Sequence, residues 1–178
     1  MKALRTIRLD SSDTFVFETA AQPGEWAVSG AFVFARVDPS TLKGRARAQF
    51  RSGFLGIESL GWSTLVQIVE VTETERARAV DVLAQHLAQR FGAPNLALAR
   101  AAAEQEIEFA TSLADHSMGT LAAVARTVEA GSIRETFRSL RPAANGSTSA
   151  YAFLQAPAED EERAEEVDLL NLARRVDR

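Results

Sequence analysis

Residues 50–72 constrain the fold more than any other stretch. They read Phe50-Arg51-Ser52-Gly53-Phe54-Leu55-Gly56-Ile57-Glu58-Ser59-Leu60-Gly61-Trp62 and then run through a β-branched segment to Thr72. Glycines interleaved with aromatic rings predict a tightly shaped loop, and the run after it predicts a buried strand from about Ser63 to Val71. That order matters for chemistry. Phosphate-binding glycine loops hand the chain to a helix, whose N–H groups meet the phosphate; here the glycines hand it to a strand, and no Gly-Lys-Ser/Thr follows. Gly56 to Gly61 also narrowly misses a nucleophile elbow, because Ile57 occupies the place of its first glycine.

Two readings of this loop stay open. Gly53 and Gly56 could let backbone N–H groups approach an anion, with Arg51 as counter-charge and Trp62 as a wall. Alternatively, the glycines make room for rings wedged beneath a sheet. Glu58 is the one acid of the loop. Among apolar neighbours its carboxyl would hold its proton more tightly and could serve as a general acid; in the plainer reading it faces water or pairs with Arg51.

Elsewhere the reactive groups are sparse. Cysteine is absent, which removes disulfides, thiolate nucleophiles and Cys-ligated metals together. The two histidines, His86 and His116, are 30 residues apart without a His-Glu-x-x-His pattern, so no metal and no cofactor is expected. His116 follows Asp115, and an acid-oriented imidazole is an acid–base design, although Asp, His and Ser also commonly end helices. Arg126, Arg134 and Arg138 on an expected hairpin could hold a carboxylate or phosphate, or could lie on a solvated sheet face.

The charge is unevenly placed. Eight of the 24 acids and four of the 20 bases lie in residues 158–178, so the rest of the chain holds sixteen of each. A formally neutral body removes the bulk-charge argument for nucleic acid. No apolar run approaches the ~20 residues that span a bilayer. The alternating basic and apolar start lacks a secretory apolar region, so a soluble cytoplasmic protein is expected.

Local signals then set the order of elements. Residues 3–9 and 14–18 alternate like strands about a turn at Asp10–Asp13, and Trp26–Ala35 is apolar on both parities, as in a covered strand. Asp38-Pro39 opens a short helix over 40–51. Thr72-x-x-Glu75 is a capping box before a long helix, Asn95 caps a second, and 119–129 with 132–140 form a hairpin about Ala130-Gly131. The fold class is α+β: an antiparallel or mixed sheet of about six strands, with a helical hairpin packed on one face. Residues 1–141 form this domain; 142–157 form a linker with an apolar plug at Tyr151–Leu154; 158–178 form an acidic amphipathic helix with an apolar side of Val167, Leu169, Leu170, Leu172 and Val176.

Three blocks, Leu4–Phe17, Trp26–Gly30 and Arg51–Val66, resemble a small family of uncharacterised proteobacterial proteins, over residues 1–141. The resemblance transfers no catalytic residue. It implies a helper role beside molybdenum-dependent oxidoreductases or formate dehydrogenases. The expected function is therefore a non-enzymatic binding or accessory module, homo-oligomeric or bound to a protein partner. Two alternatives stand beside it: an enzyme acting on an anionic metabolite through Glu58, Arg51 and His116, and a purely structural dimer.

Overall fold

The computed structural model describes residues 1–9 and 11–140, and beyond them the backbone of 159–161 and 166–167. The chain opens with β1 (Lys2–Thr6), a short helix α1 (Ser12–Val16) and the strand β2 (Ala27–Val28). Two turns of 3-10 helix, Ala31–Phe34 and Pro39–Thr41, lead into α2 (Gly44–Ser52). The strands β3 (Phe54–Gly56), β4 (Trp62–Ser63) and β5 (Leu65–Glu70) follow. Next come α3 (Glu73–Gln89), α4 (Leu96–Ser112) and the long pair β6 (Leu121–Glu129) and β7 (Ser132–Leu140). Two short strands, β8 (Glu159–Glu161) and β9 (Glu166–Val167), complete the described elements.

The strands form two antiparallel sheets. The larger runs β1-β5-β6-β7, with β8 and β9 both on the outer edge of β7; the smaller runs β2-β3-β4. Arg5 bridges to Trp26 and so joins β1 to the start of the small sheet.

Strand alternation decides where the core sits. Leu4, Val66, Ile68, Ala122, Val124, Ile133 and Phe137 share one buried face, through the pairs Leu4↔Ile68, Val66↔Ala122 and Val124↔Phe137. Arg134, Thr136 and Arg138 alternate with them on the open face. Helix α4 lies on the buried face, where Phe109 meets the Phe137 ring edge-on at 5.8 Å. Helix α3 packs on α4 with Val80, Leu83, Ala84 and Leu87 against the small side chains Ala99, Ala103 and Ala110. Each of the larger buried aliphatics contributes about 1.5–3 kcal/mol. The Thr72–Glu75 capping box is present in both directions, and Asn95 accepts from Leu98 N–H, so both long helices begin where the sequence places their caps.

Several local expectations are corrected. Residues 12–16 are helical rather than extended. A strand would put Phe15 and Phe17 on one face; the helix separates them, so Phe17 is fully buried and Phe15 points outward. The Trp26–Ala35 strand stops at Val28, because Gly30 takes φ +79° and turns the chain into a 3-10 helix. Asp38 caps Ser40 as its position suggests, but that helix ends at Thr41 and α2 starts afresh at Gly44. Residues 159–161 and 166–167 are extended and pair with β7, where the sequence pattern favours helix. The linker, its apolar plug and the remainder of the C-terminal helix expectation lie outside the described residues.

Candidate functional site

The glycine loop does hold an anion, and the anion is the chain's own. Glu25 is buried, and its Oε2 accepts from the N–H groups of Glu58 (3.1 Å) and Ser59 (2.9 Å), while Oε1 accepts from Gln22 N–H (2.6 Å). Gly56 lies in β3 with its bare Cα toward this carboxylate; a Cβ there would come within 2.7 Å of Glu25 Oε2. Gly53 serves the aromatic side. Its own Cβ would lie 2.7 Å from Trp62 Cε3, so the absence of a side chain lets the indole come close against the end of α2. Trp62 is buried and packs on Phe34 at 5.4 Å between ring centroids.

Glu58 itself is exposed at the tip of this loop. Partial burial, and secondarily the Glu25 carboxylate, raise its pKa, against opposing pulls from Arg5 and Arg78. Between the ordinary and the raised value the folded chain binds this proton better than the unfolded one. The contribution therefore favours folding at low pH and is lost as pH rises through the raised value. Glu25→Gln is expected to destabilise by about 1–3 kcal/mol, because an amide cannot offer two anionic oxygens to three N–H donors. The same substitution should lower the Glu58 pKa, a shift that NMR titration of its side-chain carboxyl reads directly.

The other expected site residues are dispersed. Arg51 is exposed on the last turn of α2. His116 follows α4, and its carbonyl accepts from Lys2 Nζ at 2.6 Å. His116 and Arg138 line one cavity together with Leu4, Phe54, Leu113 and Phe137, but Glu58 and Arg51 do not reach it. Its volume is about 20 Å³, room for roughly one water and far from the several hundred Å³ of a metabolite pocket. Arg134 and Arg138 are exposed on the open face of β7, and Arg134 pairs with Glu129 at 3.1 Å. Among the described residues no group of His, Asp and Glu could hold a metal ion, and no helix is long and apolar enough to cross a membrane.

Arg126 departs from its two neighbours in sequence reasoning. It faces the core with Glu135 directly opposite, and both side chains are wholly buried. Its Nε donates to Glu135 Oε1, which also accepts from Ser29 Oγ at 2.6 Å. One terminal nitrogen donates to the Phe50 (3.0 Å) and Gly53 (2.8 Å) carbonyls at the end of α2; the other donates to the Ser29 carbonyl. Burial lowers the Arg126 pKa and the Glu135 charge opposes that shift. The pair ties the β6–β7 hairpin to α2 and to the small sheet, which is a structural task.

One surface does present itself outward. Asp13 anchors α1 by accepting from Thr64 Oγ1 at 2.6 Å, and Phe17 anchors its end in the core. Between these two fixed points Phe15 is 70% exposed, Val16 is 38% and the preceding Leu9 is 47%. Helix α1 lies against α2, where Lys43, Arg45, Arg47 and Arg51 are all exposed and no acid occurs from 43 to 51. Sequence reasoning missed this surface. The cluster of bases was visible in it, but the strand assignment hid the outward turn of Phe15.

A match to a family model over residues 1–155 decides the wider relationship. The chain belongs to DUF6505, a family of unknown function. The match runs beyond residue 141, so the DUF6505 unit takes in part of the segment that the sequence reading assigned to a linker. No curated protein and no solved structure matches the chain. Membership in DUF6505 therefore assigns no chemistry to any residue, and the geometry of α1 and α2 carries the functional argument.

Proposed function

We propose that this chain is a non-catalytic accessory module of the cytoplasm that docks a partner protein through α1 and α2. One observation carries the reading: an exposed Phe15 on a helix pinned at Asp13 and Phe17, beside a helix whose exposed charges are all basic. Single exposed apolar residues are ordinary on soluble proteins, but three within eight residues next to four cations are a different object. A pinned aromatic loses little conformational freedom on binding, which is the property of an interface anchor. The fitting partner presents an apolar pocket for Phe15 and acidic groups for α2. The molybdenum-dependent oxidoreductases that the sequence resemblance points toward are the first partners to try.

The test compares proteins retained from the native host by the wild type, Phe15→Ala, Arg45→Glu/Arg47→Glu and Leu96→Ala. Leu96 is also well exposed but distant in sequence, on α4. The same retained set should be lost from the first two variants and kept by the third. Retention that ignores Phe15 and the arginines would remove the reading. A homodimer that dissociates on Phe15→Ala, seen by sedimentation, would assign this face to a second copy of the chain instead.

A further inference from the structure

The outer side of β7 already shows what it accepts. One side of β7 pairs along its whole length with β6. The other side pairs with two short acidic pieces of the same chain, three residues in β8 and two in β9. Their register is informative: Asp160 falls opposite Arg138, and Glu166 falls opposite Arg134. Both arginines lie on the open face of β7, so each acid takes the position where a cross-strand pair of opposite charge is favourable.

The fit is incomplete. Four residues separate β8 from β9, whereas β7 has only Glu135 and Thr136 between the matching positions. The register therefore steps by two residues in the middle of the edge. The described ladder is thus in two pieces, three residues and two residues long. A continuous strand without that step could make more main-chain hydrogen bonds along β7.

We propose that the outer edge of β7 is a strand-addition site for an acidic extended segment, and that residues 159–161 and 166–167 are its resident, displaceable occupant. An uncovered edge would offer its unpaired main-chain groups to other chains, so the occupant also guards the sheet. This site is separate from the α1–α2 surface, and the two proposals stand or fall independently.

Deuterium exchange on the full chain tests it. In Asp160→Lys/Glu166→Lys the outward amides of β7 should exchange at least about tenfold faster, as local opening becomes easier. Adding Arg134→Glu/Arg138→Glu to that variant should restore protection by swapping the charges. A labelled peptide of residues 157–169, shortened by two residues between 161 and 166, should then bind Asp160→Lys/Glu166→Lys more tightly than wild type, with an affinity that falls as salt rises. It should not bind the wild-type tail carrying Arg134→Glu/Arg138→Glu. Unchanged β7 exchange on charge reversal, no rescue by the swap, or peptide binding indifferent to the arginines would each overturn the proposal.

Discussion

Arg126→Met is expected to destabilise the chain by about 3–5 kcal/mol, because it strands a buried carboxylate. Glu135 is fully enclosed, and its Oε2 already lacks a hydrogen-bond partner among the described residues. Removing the guanidinium takes away the one opposing charge bonded to it. It also leaves the Phe50, Gly53 and Ser29 carbonyls without their donor. Lysine is no substitute. A single ammonium cannot reach acceptors on α2, on the segment after β2 and on β7 at once, whereas the planar fork of arginine does.

The double variant Arg126→Met/Glu135→Leu separates charge from geometry. With both charges gone, apolar packing replaces the ion pair and the uncompensated charge disappears. Recovery should still be partial, because the carbonyls at the end of α2 lose their donor and the Ser29 hydroxyl, which keeps Ala31 N–H as its own donor, loses its acceptor, at about 1–3 kcal/mol for a fully buried polar group. Urea unfolding of the two single variants and the double variant measures the coupling directly. A single-variant loss below about 1 kcal/mol would mean that water reaches Glu135 and the pair is not sealed.

The same pair shows what the sequence made legible and what it concealed. Arg126 stands in the row Ala122, Val124, Arg126, Val128, and Glu135 stands between Ile133 and Phe137. A base and an acid interrupting two apolar rows at opposed positions of one hairpin is a readable sign of a buried pair. Grouping Arg126 with Arg134 and Arg138 by charge obscured that parity. Elements with self-contained signals were legible: the Thr72–Glu75 capping box, the Asn95 cap, and the Ala130-Gly131 turn, where both residues take positive φ. Elements whose form depends on distant partners were not. Helix α1 is held by Thr64, fifty-one residues away along the chain from Asp13, and local alternation at Phe15 and Phe17 suits a strand equally well. The glycine loop was legible as a shaped object, with anion binding and room for wedged rings as its two open readings, and nothing local to it names Glu25, thirty-three residues before Glu58, as an anion held there.

Trp62→Ala is expected to cost about 3–5 kcal/mol, the range for emptying a large aromatic site in a core. The indole is only 5% exposed and lies between Phe34, the end of α2 and Gly30. Collapse around the vacated space is limited, since Trp62 sits in a backbone frame fixed on both sides: its N–H donates to Thr19 O and its carbonyl accepts from Ala21 N–H, both at 2.9 Å. Trp62→Phe should cost less, because it keeps a ring over Gly53. Gly53→Ala supplies the converse test. Its new methyl meets Trp62 Cε3 at 2.7 Å and the Gln49 carbonyl at 2.9 Å. In the Trp62→Ala background the first clash disappears and the second remains, so Gly53→Ala should be less damaging there but not neutral. Chemical denaturation of the four combinations gives the coupling. A Trp62→Ala loss near zero, accompanied by weakened partner binding, would instead make the indole part of a recognition surface and displace α1 and α2 from that role.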